Sequence, residues 1–134
     1  MRITAAATAA ALALTLSATT SAADAKARDW TTMTRVAHAK LQACKEVTTP
    51  GGPWRIRLRV DATAATSMVR GSAEVRNQRG DLVGKRWRSG PVRPGDVTKV
   101  GSVRLPRGSA FQLEVQLESD SAGKGVVGAV PHRC

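Results

Sequence analysis

Trp54-Arg55-Ile56-Arg57-Leu58-Arg59-Val60-Asp61-Ala62 alternates apolar and charged residues without a break. A period of two marks a β-strand with one face in a core and the other in water. On the wet face Arg55, Arg57 and Arg59 stand in a row, their Cα atoms separated by two strand rises, roughly 6.6 Å. The same nine residues therefore indicate how the chain folds and where it presents charge.

Comparable patterns lie on both sides. Val69, Gly71, Ala73 and Val75 alternate with Arg70, Ser72, Glu74 and Arg76, and Phe111, Leu113, Val115 and Leu117 alternate with Gln112, Glu114, Gln116 and Glu118. Asn77 to Asp81 reads as a turn, followed by a shorter, less regular strand over Leu82 to Arg88. Ser89 to Asp96 carries two prolines and two glycines, a composition that predicts a loop. Val97 to Leu105 reads as a strand, and Val126 to Val130 as a short final one after the turn residues Asp120 to Gly125.

Segment 30–47 reads two ways. Ala37, Ala39, Leu41 and Ala43 alternate with His38, Lys40 and Gln42 as in a strand, whereas Met33, Ala37, Leu41 and Cys44 share one helical stripe. The strand is preferred, because a Cys44–Cys134 bond would then join the first and last strands. About seven short strands separated by turns predict an all-β fold. The expected architecture is a small antiparallel β-sandwich, immunoglobulin-like in general plan and closed by one disulfide.

The N-terminus has a different character. Arg2 precedes an apolar run over Ala5 to Leu16, and small residues follow up to Ala23-Asp24-Ala25. That is the pattern of a secretory signal peptide, too short to span a bilayer comfortably. Cleavage after Ala25 would leave residues 26–134 as one secreted, extracellular domain without a transmembrane segment; an earlier cut after Ala23 would leave 24–134. In an oxidising compartment Cys44 and Cys134, the two cysteines of the chain, are expected to pair. The closed loop of 90 residues is worth on the order of 4–5 kcal/mol in the chain-entropy model, an upper figure if the unfolded chain is compact. The competing use as reactive thiols or metal ligands lacks a C-x-x-C spacing.

Charge is the strongest global property. The chain has 21 Lys and Arg against 10 Asp and Glu, a formal net charge of +11. Such an excess attracts polyanions in a salt-dependent way, and arginine's planar fork suits phosphate and carboxylate. Arg55, Arg57 and Arg59 form one candidate anion-binding row, and Lys85, Arg86 and Arg88 a second. Two blander explanations stand beside this: codon bias in a GC-rich genome, and cross-strand pairing of the first row with Glu114 and Glu118.

The aromatics are few: Trp30, Trp54, Trp87 and Phe111. Trp54 and Phe111 fall in the inward phase of their strands, and Trp87, between Arg86 and Arg88, is assigned to the core because large aromatics are mostly buried. Arg79-Gly80-Asp81 matches an adhesion tripeptide, but these are ordinary turn residues. Catalysis has little support. His38 and His132, the two histidines, would meet only if the disulfide joined their ends, and two imidazoles fall short of a catalytic zinc site. No nucleophile elbow or phosphate-binding glycine loop is present, and no metal or cofactor is expected. The expectation is a non-enzymatic binding module for an anionic cell-envelope or extracellular polymer. The alternative is a protein-partner module, an inhibitor or accessory subunit, that makes contact through Ser89–Asp96.

Overall fold

The alternating segments pair into eight strands in the computed structural model, which describes residues 29–134; the expected leader over residues 1–25 lies outside them. The strands are β1 (Thr31–Val36), β2 (Ala39–Val47), β3 (Trp54–Asp61), β4 (Val69–Asn77), β5 (Leu82–Val92), β6 (Gly101–Leu105), β7 (Phe111–Ser119) and β8 (Gly123–Gly128). No helix is long and apolar enough to cross a membrane among the described residues. Two antiparallel four-stranded sheets form, in the orders β1-β2-β3-β6 and β5-β4-β7-β8. In this sandwich β2 sits between β1 and β3, whereas immunoglobulin constant domains place the second strand between the first and the fifth.

The count is eight and not about seven because segment 30–47 is a hairpin of two strands. Ala37 and His38 form its two-residue turn with φ of 49° and 63°, as the twist of a tight hairpin requires. Thr66 holds this turn by donating its backbone N–H to the Ala37 carbonyl at 3.0 Å.

The inward phase of each strand supplies the core. Leu41, Ile56, Leu58 and Val60 of the first sheet and Val69, Val75, Leu113, Val115 and Leu117 of the second are fully buried. Trp54, Trp87 and Phe111 are half-buried and pack against this cluster. Two glycines make room for Trp87. A Cβ on Gly101 would overlap its indole ring, and one on Gly71 would lie 2.6 Å from Val60 Cγ2 and 3.3 Å from Trp87 Cζ3. Trp87 therefore fills the gap between β5 of one sheet and β6 of the other.

Three boundaries differ from the sequence reading. Ser89 to Val92 are not loop: β5 runs on to Val92, with Gly90 at φ 68°. Pro91 fits because β5 is an edge strand, where a missing N–H need break no ladder bond. The loop is thus confined to the residues after Val92, which removes half of the rigid contact segment expected over Ser89–Asp96. Downstream, β6 begins only at Gly101 and not at Val97; before it, Thr98 donates its N–H to the Val60 carbonyl at 3.0 Å and accepts the Val60 N–H through Oγ1 at 2.9 Å. The last strand spans Gly123–Gly128 and not Val126–Val130, since Ser119 Oγ accepts the N–H groups of Ser121 and Ala122 and tightens the turn.

Cys44 and Cys134 are bonded, but the bond does not join the first and last strands. It ties the second strand to the tail beyond β8. Pairing between β1 and β2 stops at Thr31↔Ala43, so the outer edge of β2 is vacant from Cys44 onward. The tail occupies it: Lys45 donates its N–H to the His132 carbonyl and accepts the Cys134 N–H, both at 2.9 Å. Pro131 is fully buried beneath this join.

Candidate functional site

Residues opposite each other in an antiparallel pair share a face, so the register of the first sheet fixes its outer surface. Arg55, Arg57 and Arg59 lie there, joined by Arg104 opposite Arg55 and by Lys40 opposite Asp61. Arg35, opposite Lys40, completes the set. Six basic side chains thus face two carboxylates, Glu46 and Asp61, on one sheet surface. Two of the directly opposed pairs, Arg55↔Arg104 and Arg35↔Lys40, are of like charge, an arrangement that destabilises a sheet.

The local partners are few. Glu46 Oε1 lies 3.6 Å from Arg55 Nη1 and 3.7 Å from Arg57 Nε, so one carboxylate serves two guanidinium groups. Arg57 Nε is sealed from solvent and lacks a hydrogen-bond partner. Arg59 Nε donates to Gln42 Oε1 at 2.9 Å, and its guanidinium stacks on the Trp30 ring at 4.5 Å from the centroid. The partners of the row are therefore Glu46 and Gln42 and not Glu114 and Glu118, which stand on the other sheet. Thr63 donates its hydroxyl to Asp61 Oδ1 at 2.6 Å and outweighs burial to hold that carboxylate below its ordinary range.

Trp30 and Arg104 were not singled out by sequence reasoning. Arg104 had a usable signal, since Ser102 and Arg104 alternate with Val103 and Leu105. Trp30 had none, because its place over Arg59 depends on the pairing of β1 with β2. A further cationic group closes one end of the sandwich, where Arg107, Lys45 and Arg133 lie 4.1, 4.7 and 5.5 Å from the centroid of Trp54.

The second row does not stay together. Arg86 and Arg88 line a groove of about 560 Å³ on the outer face of the second sheet, while Lys85 is exposed outside it. The two rows occupy opposite faces of the sandwich. β5 carries extra residues beside this groove: between Ala73↔Trp87 and Val75↔Val83, four steps on β5 match two on β4. Such bulges bend a strand and increase its twist. Glu74, nearly buried in the floor, accepts Arg86 Nε through Oε2 at 2.6 Å and Arg76 Nε through Oε1 at 2.6 Å. Burial raises its pKa, but these two arginines outweigh that and hold the carboxyl below its ordinary value.

His38 and His132 do not meet. His38 is at the turn end of β1, and His132 donates its N–H to Thr31 Oγ1 at the other end. Among the described residues no group of three or more His, Cys, Asp or Glu is placed to hold a metal ion. Arg79-Gly80-Asp81 forms the β4–β5 turn, in which Asn77 Oδ1 accepts the N–H groups of Arg79 and Asp81 at 2.9 and 3.0 Å. Comparison with protein-family models, with characterised proteins and with solved structures finds no match to this chain.

Proposed function

We propose that the protein is a non-enzymatic binding module whose β1-β2-β3-β6 face takes an anionic polymer of the cell envelope or extracellular space. The observation that carries the reading is the set of like-charge pairs on that face, with Arg55 opposite Arg104 and Arg35 opposite Lys40. A polyanion laid across them replaces repulsion with attraction, and arginine forks suit phosphate or carboxylate groups along it. Trp30, already stacked on Arg59, adds an aromatic surface beside the charges. In the protein-partner alternative, half of the contact segment Ser89–Asp96 would be an edge strand and not a loop.

Binding of the oxidised protein to a single-stranded oligothymidylate, a model phosphodiester polymer, tests this. If about four phosphates are neutralised, the slope of log affinity against log salt is roughly −3, and affinity falls about 50-fold between 50 and 200 mM salt. Replacing Arg55, Arg57 and Arg59 together by Gln should weaken binding and reduce the slope by about 2, at −0.7 per lost contact. Equal weakening by the exposed loop set Arg93→Gln, Lys99→Gln and Arg107→Gln, or no binding at the lower salt, overturns the proposal.

A further inference from the structure

The groove on the opposite sheet differs in kind from the cationic face. Its β5 wall carries Arg86 and Arg88, and its β7 wall carries Glu114 and Glu118. Between them β4 presents Ser72, directly opposite Gln116, which stands on β7 between Glu114 and Glu118. Arg86 uses Nε to hold Glu74, which fixes its orientation, while its two terminal nitrogens make no hydrogen bond among the described residues. Arg88, Glu114 and Glu118 also lack an ion-pair partner among them.

A polyanion would meet Glu114 and Glu118, and a polycation would meet Arg86 and Arg88. Arg70 and Arg76 on β4 also line the groove but are engaged, by Asp120 and Glu74 respectively, so a ligand with opposite charges at its two ends suits the groups left over on the two walls. β5 and β7 flank β4, so the two walls stand about 9–10 Å apart at a strand spacing of about 4.8 Å. Three extended residues span about 10 Å. We propose that this groove binds a short zwitterionic peptide, with its carboxylate at Arg86 and Arg88 and its ammonium at Glu114 and Glu118. Ser72 on β4 lies where its central amides would need a hydrogen-bond partner, and Gln116 stands beside the ammonium end. The site is separate from the polyanion face and stands or falls independently of it.

The test uses triglycine, N-acetyl-triglycine and triglycine amide as probes, titrated into ¹⁵N-labelled oxidised protein and followed by NMR. Triglycine should shift the amides of β4, β5 and β7, including Ser72 and Gln116, and leave those of β2 and β3 unmoved. Blocking either end should weaken binding about tenfold or more, the worth of a hydrogen bond to a charged group. Glu114→Gln with Glu118→Gln should abolish the preference for triglycine over its N-acetyl form. Arg88→Ala should reduce the preference over the amide, and Lys99→Ala should change neither. Unchanged spectra of the free variants outside the mutated strands establish that they fold. Equal binding of all three probes overturns the proposal, as does N-acetyl-triglycine binding as tightly as triglycine. A lack of saturable shifts up to the solubility of triglycine does so too.

Discussion

Replacing Glu74 by glutamine removes one negative charge and little volume from the floor of the groove. In the wild type the Glu74 side chain is 11% exposed and its carboxylate accepts Arg76 Nε and Arg86 Nε, both at 2.6 Å. Hydrogen bonds to charged groups contribute about 1.5–3 kcal/mol each, and breaking a buried pair costs about 3–5 kcal/mol. Two features lower that figure. The Arg76 and Arg86 side chains are 39% and 36% exposed, so both can turn to water once the carboxylate is gone. Glu74 also stands opposite Glu114, and removing a like-charge pair returns about 0.2–1 kcal/mol. The expected loss at pH 7 is about 2 kcal/mol, a fall in Tm of about 10 °C for a domain of this size.

The pH dependence separates charge from shape. Arg76 and Arg86 depress the Glu74 pKa in the folded protein below its ordinary value of 4.5. A depressed carboxylate stabilises the fold fully above its unfolded pKa, and that contribution disappears as pH falls through the folded value. The gap between wild type and Glu74→Gln should therefore be complete at pH 7, begin to close below about 4.5 and vanish once Glu74 is protonated. Asp61 is depressed as well, but it titrates in both proteins and cancels in the difference. Urea unfolding of the two proteins across this range measures the gap. A difference that stays constant into acid would refute the argument, since it would mean that Glu74 acts through shape and not through charge.

Three further outcomes follow from the fold. Ala37→Asn with His38→Gly supplies residues suited to positive φ at the β1–β2 turn and should stabilise by about 1–2 kcal/mol in urea unfolding. Gly101→Ala places a methyl group against the Trp87 ring and should destabilise by about 1–3 kcal/mol, with partial recovery in the double variant with Trp87→Leu, read by thermal unfolding. Cys44→Ser with Cys134→Ser should lower stability by about 2–5 kcal/mol. The same change should open the tail after Pro131 to limited proteolysis, detectable by mass spectrometry.

Much of this protein was legible in one dimension. Period-two alternation over Trp54 to Ala62 is satisfied only by a half-buried strand, because successive side chains of a strand point to opposite faces. The same logic separated Leu113, Val115 and Leu117 as core from Glu114 and Glu118 as surface. The two cysteines, with no C-x-x-C spacing between them, implied the bond that forms. Local sequence also shows that Arg55, Arg57 and Arg59 share a face, since that follows from a single strand.

What lies beside that face depends on pairing, which local sequence does not encode. Only the register of β3 with β6 and of β1 with β2 sets Arg104 opposite Arg55 and Arg35 opposite Lys40. Tertiary structure alone put Glu46 and not Glu114 within reach of the row. Pro91 and Gly90 argued for a loop because a strand interior rejects them, and it is the edge position of β5 that tolerates them. The order β5-β4-β7 brings Arg86 and Arg88 across from carboxylates about thirty residues away in the chain. Alternation is a property of one strand. A site with two walls is a property of three, and the sequence does not state which three are neighbours.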